Sequence, residues 1–115
     1  MTIKKNYSWK ITYKLFEVFN QKYGPYDVDC FANKNNFKVQ NFYTKEQDAY
    51  TKDWSRGNSW VFPPIDQVEK CIQKIIKEKA KCTLLTPFLP LEPWYLSLMK
   101  YRNQEPILIH TAPGL

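Results

Sequence analysis

Asp53-Trp54-Ser55-Arg56-Gly57-Asn58-Ser59-Trp60-Val61-Phe62-Pro63-Pro64-Ile65 is the stretch on which the fold turns. It predicts a turn around Gly57, a short apolar strand from Ser59 to Phe62, two prolines, and the start of a helix. Proline locks φ, carries no amide hydrogen and drives the residue before it toward extended geometry, so the chain leaves this strand in a stiff, open turn. Open α/β sheets place their ligand crevice at the carboxyl ends of strands, so one edge of a site is expected here.

Downstream of the prolines, Asp66 suits a first helical turn. Val68, Cys71, Ile72, Ile75, Ile76 and Ala80 then form one apolar face, opposite Glu69, Lys70, Lys74, Lys77, Glu78 and Lys81. Cys82 to Thr86 is continuous and apolar, as for a strand covered on both faces, and Pro87 and Pro90 end it. Pro93 opens a second amphipathic helix through Tyr101, and Pro106 precedes a last expected strand, Ile107 to His110.

Upstream, a helix capped by Ser8 carries Ile11, Leu15, Phe19 and Tyr23 at four-residue steps and stops at Gly24-Pro25. Tyr26 to Ala32 reads as a strand with Val28 and Cys30 on one face and Asp27, Asp29 and Phe31 on the other. An unpaired buried carboxylate is costly, which places Asp29 near the exposed end of that strand. Asn33 to Asn36 reads as a polar turn, Phe42 to Thr44 as a weak extended piece, and Glu46 to Asp53 as loop. Strands alternating with helices predict an α/β fold: a small, mostly parallel sheet with helices on both faces. All 115 residues are expected to form one domain, with its core at about residues 7 to 110.

The chain carries a formal charge of +6, and 17% of its residues are aromatic. Lysines meet phosphates and rings stack on bases, so this pairing suits nucleic acid, although a lysine-rich solubilising surface gives the same composition. Cys30, Cys71 and Cys82 lack CxxC spacing and read as buried thiols of a reducing compartment; His110 is the single histidine, so no metal site is expected. No apolar run reaches the roughly 18 to 20 residues that span a bilayer. An intracellular protein, nuclear or cytoplasmic, is expected. A phosphate-cradling glycine loop, a nucleophile with a base positioned by sequence, and a nuclease-like carboxylate cluster are all missing from the pattern.

The run from Tyr23 to Ala32 (Tyr-Gly-Pro-Tyr-Asp-Val-Asp-Cys-Phe-Ala), with Asn36 beyond it, resembles the segment that follows ribonuclease H in polyproteins of DIRS-type retrotransposons. The likeness continues through Asp48 to Trp54, Phe62-Pro63-Pro64, Pro87 and Pro93-Trp94-Tyr95, covering roughly residues 7 to 108. That segment is in turn similar to phage-type DNA adenine methyltransferases, which carry an Asp-containing strand, an Asn, an Asp-Trp and an Asn-Pro-Pro-aromatic motif in the same sequence. The resemblance implies a Rossmann-like, methyltransferase-like fold that binds S-adenosylmethionine. Asp29, Phe31 and Asn36 would then lie at the cofactor edge, and Phe62, Pro63, Pro64 and Ile65 at the catalytic motif.

Three departures bear on chemistry. Adenine's exocyclic amine is a weak nucleophile, held in such enzymes by the motif's Asn or Asp side chain and a main-chain carbonyl; Phe62 offers no acceptor. Ile65 stands where the family has a ring to stack on the extruded base. Losing an acceptor that strengthens in the transition state costs on the order of a hundred- to a thousandfold in rate, and losing the ring about 1 to 3 kcal/mol of base binding. Asp53 or Asp66 would be the substitute acceptors. Asn33 and Lys34 also follow the Asp29 strand where glycines would let a backbone approach a nucleotide.

Three functions are therefore weighed. The first is a noncatalytic methyltransferase-like module binding nucleic acid (DNA or RNA) or a protein partner, with no cofactor, through Lys34, Lys38, Trp54, Arg56, Trp60, Phe62 and Ile65. The second is an active adenine methyltransferase on DNA or RNA, which S-adenosylmethionine would stabilise thermally. The third is an assembly part whose exposed rings form a protein interface, distinguished by weak salt dependence. Core packing is the competing reading for Trp54, Trp60 and Phe62, and a strand-end cap for Asp29.

Overall fold

The computed structural model describes residues 11–103. Helix α1, Tyr13–Tyr23, is capped by the Thr12 hydroxyl, which accepts the Leu15 N–H at 3.1 Å. Ser8, the expected cap, lies outside the described residues, as does the expected strand Ile107 to His110. Strand β1 is Val28–Asp29, β2 is Ser59–Val61, helix α2 is Val68–Glu78, β3 is Cys82–Leu84 and helix α3 is Pro93–Tyr101. A single 3₁₀ turn, Ala49–Thr51, interrupts the segment expected as loop, and another, Ile65–Gln67, leads from the prolines into α2.

The three strands are parallel in the order β1-β2-β3, with Val28 opposite Ser59, Asp29 opposite Trp60, and Val61 opposite Leu84. Because side chains alternate, this register sends Val28, Val61 and Leu84 to one face and Trp60 to the other. Val28, Cys30 and Val61 pack with Cys71 of α2 and with Trp54, whereas Trp60 packs with Phe16 and Phe19 of α1 and with Tyr26. Val68 and Ile72 of α2 meet Trp94 of α3. Helices thus cover both faces of a parallel sheet, as the alternation of elements predicts.

The differences from expectation have local causes. The strand expected over Tyr26 to Ala32 keeps ladder geometry only at Val28–Asp29, since beyond Asp29 the chain turns aside and meets Phe42 through one isolated parallel bridge. β3 is half-buried instead of covered on both faces, and stands at the edge of the sheet with β2 as its paired strand among the described residues. Asp29 sits at the end of its strand but is 3% exposed, not solvent-facing. Burial pushes the thiols up, Cys30 and Cys82 to about 12 and Cys71 to about 11, so all three stay protonated at neutral pH.

Candidate functional site

An open cleft of about 1520 Å³ lies at the carboxyl ends of the strands. β1 delivers Asp29 and Phe31 to it, the turn after β2 delivers Phe62, Pro63, Pro64 and Ile65, and Pro87 follows β3. The two prolines put Pro64 at the cap of the turn Ile65–Gln67, with Pro63 buried beneath it. The strand–proline–helix step read from the sequence therefore does form one wall of a crevice.

Asp29 organises the facing wall. Its Oδ2 accepts the Lys38 N–H at 3.0 Å and its Oδ1 the Phe31 N–H at 3.4 Å. Its own N–H donates to the Asn41 carbonyl and its carbonyl accepts from the Tyr43 N–H. Burial is the dominant influence on the carboxyl and raises it to about 6, while the Lys38 and Phe31 N–H groups and the Lys38 charge pull it down. Asn36 also lines the cleft, yet its Oδ1 accepts the Asn33 N–H at 2.8 Å within the same loop.

Of the residues expected to contact a ligand, Asp29, Phe31, Asn36, Lys38, Trp60, Phe62 and Ile65 line this cleft, whereas Lys34, Trp54 and Arg56 do not. Trp54 is 1% exposed, edge-on to Phe31, with its indole N–H on the Ala49 carbonyl at 2.9 Å; it is core. Trp60 touches the cleft, but its ring is fixed edge-on to Phe16 at 4.9 Å and is equally buried. Arg56 is exposed before the amino end of β2, on the opposite edge of the sheet, with Nε 3.9 Å from Asp53 Oδ2. Asp53, one substitute acceptor, stays at that edge bound to the Ser55 N–H and hydroxyl, while Asp66 is exposed on the cleft.

Tyr50, Lys70 and Gln67 were not singled out in the sequence and stand at the cleft together. The Tyr50 hydroxyl donates to Gln67 Oε1 at 2.8 Å, and Lys70 Nζ lies 3.9 Å from the centre of the Tyr50 ring. Their neighbourhood comes from the segment around Ala49–Thr51 folding over the start of α2. No pattern within either segment announces it. Phe62 is half-buried, and among the described residues neither a ring nor an ammonium packs on its ring. Among the described residues no group of three or more His, Cys, Asp or Glu could hold a metal, and no helix is long and apolar enough to cross a membrane.

The family described as DNA N-6-adenine-methyltransferase (Dam) matches residues 2–104. The chain is similar to the DNA N-6-adenine-methyltransferase of Haemophilus phage HP1, 38% identical over 56 residues, which is 49% of this chain and 31% of that protein. It is similar also to the DNA N-6-adenine-methyltransferase of Escherichia phage T1, 22% identical over 85 residues, 73% of this chain and 36% of that protein. The chain thus spans about a third of the length of these relatives. No solved structure matches it significantly.

Proposed function

This chain belongs to the DNA N-6-adenine-methyltransferase (Dam) family, and we propose that it is a member that binds nucleic acid at the cleft without transferring a methyl group. The observation that carries this reading is Phe62, a hydrocarbon ring on the cleft wall at the step from β2 into Pro63-Pro64. Methyl transfer to adenine needs an oxygen there to hold the amine; a phenyl ring cannot accept a hydrogen bond. The cofactor edge supports the same conclusion. Asp29 is buried with its carboxylate bonded to its own loop, so it presents little to a ribose, and the residues present fit S-adenosylmethionine poorly.

An active adenine methyltransferase is the second reading, and Asp66 favours it, because that carboxylate stands exposed on the cleft just beyond the motif. Membership of a DIRS-type retrotransposon polyprotein, an intracellular location in nucleus or cytoplasm, and a role in binding a protein partner belong to the proposal in the same way, on the resemblance of Tyr23 to Ala32 and its companion motifs.

The deciding experiment incubates purified protein, its Phe62→Asn variant and its Asp66→Ala variant with tritiated S-adenosylmethionine and adenine-containing DNA and RNA, single-stranded and duplex. Binding of the same strands is followed by fluorescence anisotropy across a salt titration. The proposal expects salt-sensitive binding and no incorporation by the natural sequence. Turnover that Asp66→Ala abolishes would establish the second reading instead.

A further inference from the structure

We infer that Phe62 is a stacking platform for an unpaired nucleobase, and that the cleft therefore selects single strands over duplex. This rests on the nucleic-acid reading above and adds to it the class of strand and the residue that chooses it.

The argument begins with which rings are free. Tyr50 carries Lys70 on its ring and stacks on Trp54 at an interplanar angle of 26°, and Phe31 stands edge-on to both. Tyr43 has the Lys52 ammonium 5.6 Å from its centre, and Trp60 is held in the α1 core. Each of these rings already has an aromatic or cationic neighbour. Phe62 lines the same cleft and has none among the described residues.

The backbone that carries it is also fixed in advance. The residue before a proline is restricted to extended geometry, Pro63 behind it is buried, and the Leu85 N–H holds the Val61 carbonyl at 2.9 Å on the preceding residue. On so stiff a support little backbone freedom is lost when a base lies on the ring.

Charge supplies the second half. The cleft is lined by Lys38, Lys45 and Lys70, but also by Asp29, Asp48 and Asp66. Local charge therefore balances, and the general attraction for phosphate comes from the whole chain at +6. A duplex offers its phosphates and hides the faces of its bases, so an uncovered ring beside balanced charges gains nothing from it. An unpaired strand offers base faces, and stacking on an aromatic side chain tolerates any base. The ring thus stands at Phe62, where the resemblance places the amine acceptor, and an aliphatic group stands at Ile65, where it places the ring.

The test measures anisotropy of labelled oligonucleotides with the natural sequence and with Phe62→Ala, Phe62→Leu and Phe62→Trp. Probes are a single strand of DNA, its RNA counterpart, the same DNA as a duplex, and a single strand of abasic sites. Single strands should bind at least about tenfold more tightly than duplex. Phe62→Ala and Phe62→Leu should weaken them by about five- to a hundredfold, while Phe62→Trp keeps them. The abasic strand should bind weakly and ignore all three substitutions. Phe62→Leu, which preserves an apolar side chain, is checked by thermal melting, so that a lost fold is not mistaken for a lost platform. If single strand and duplex bind alike and Phe62→Leu binds as the natural sequence does, the platform is overturned and the nucleic-acid reading stands. If no probe binds, both fall.

Discussion

Asp29 Oδ2 accepts the main-chain N–H of Lys38 at 3.0 Å, so the last residue of β1 closes the loop that runs to Lys38 and forms one wall of the cleft. A buried carboxylate tolerates its surroundings because these N–H groups replace part of the water it has lost. The wall facing Phe62 is thereby shaped by an acid that the sequence suggested for ligand contact.

That arrangement has a pH signature. Burial holds the Asp29 carboxyl at about 6, above its ordinary 3.8. Between those values the folded chain keeps a proton that the unfolded chain has released, so this group's contribution to stability is full below the lower value. It is lost as pH rises through the window, by at most about 1.4 kcal/mol per pH unit. Urea melts of the natural sequence and of Asp29→Asn at pH 4, 5, 6 and 7 should differ by a falling increment that levels off above pH 6. A constant difference across the four values contradicts the assignment.

Gly57 should not tolerate a side chain. Its φ is +75°, in the left-handed region, and a Cβ there would lie 2.6 Å from Asp27 Oδ2, the atom that accepts the Asn58 N–H. Gly57→Ala is expected to cost about 1 to 2 kcal/mol from backbone strain, and more from displacing the carboxylate. In the Asp27→Ala background only the strain should remain. A double-mutant cycle by thermal melting reads the difference, and strict additivity of the two substitutions would refute the clash.

Lys74 joins three parts of the core. Its Nζ binds Glu78 and donates to the Tyr50 carbonyl at 3.1 Å, while Glu78 Oε1 accepts the Trp54 N–H at 2.6 Å. The two side chains are 12% and 22% exposed. Burial raises the Glu78 carboxyl, but the Lys74 and Trp54 donors outweigh it and leave the group below its ordinary value. Removing one partner strands the other, so Lys74→Ala should cost about 1 to 3 kcal/mol, against at most about 0.5 for Lys77→Ala on the exposed face. Equal denaturation midpoints for the two variants would remove the claim.

What the amino-acid order determined by itself was whatever depends on covalent geometry or on a period within one segment. The apolar stripe of Val68, Cys71 and Ile72 specified α2, Pro93 specified the start of α3, and Pro63-Pro64 specified an open turn after β2 at the site's edge. The length of β1, the burial of Asp29 and the fate of the tryptophans were decided only by tertiary structure. Trp54 and Trp60 flank the same strand entry and looked equally suited to a surface, yet one is enclosed with Phe31 and Tyr50 and the other with Phe16 and Tyr26. Tyr50 and Lys70 meet across twenty residues of sequence with no shared period. The reason is one of range: a helix stripe or a proline constrains its immediate neighbours, whereas the burial of a ring or a carboxylate depends on which distant segments the fold brings against it.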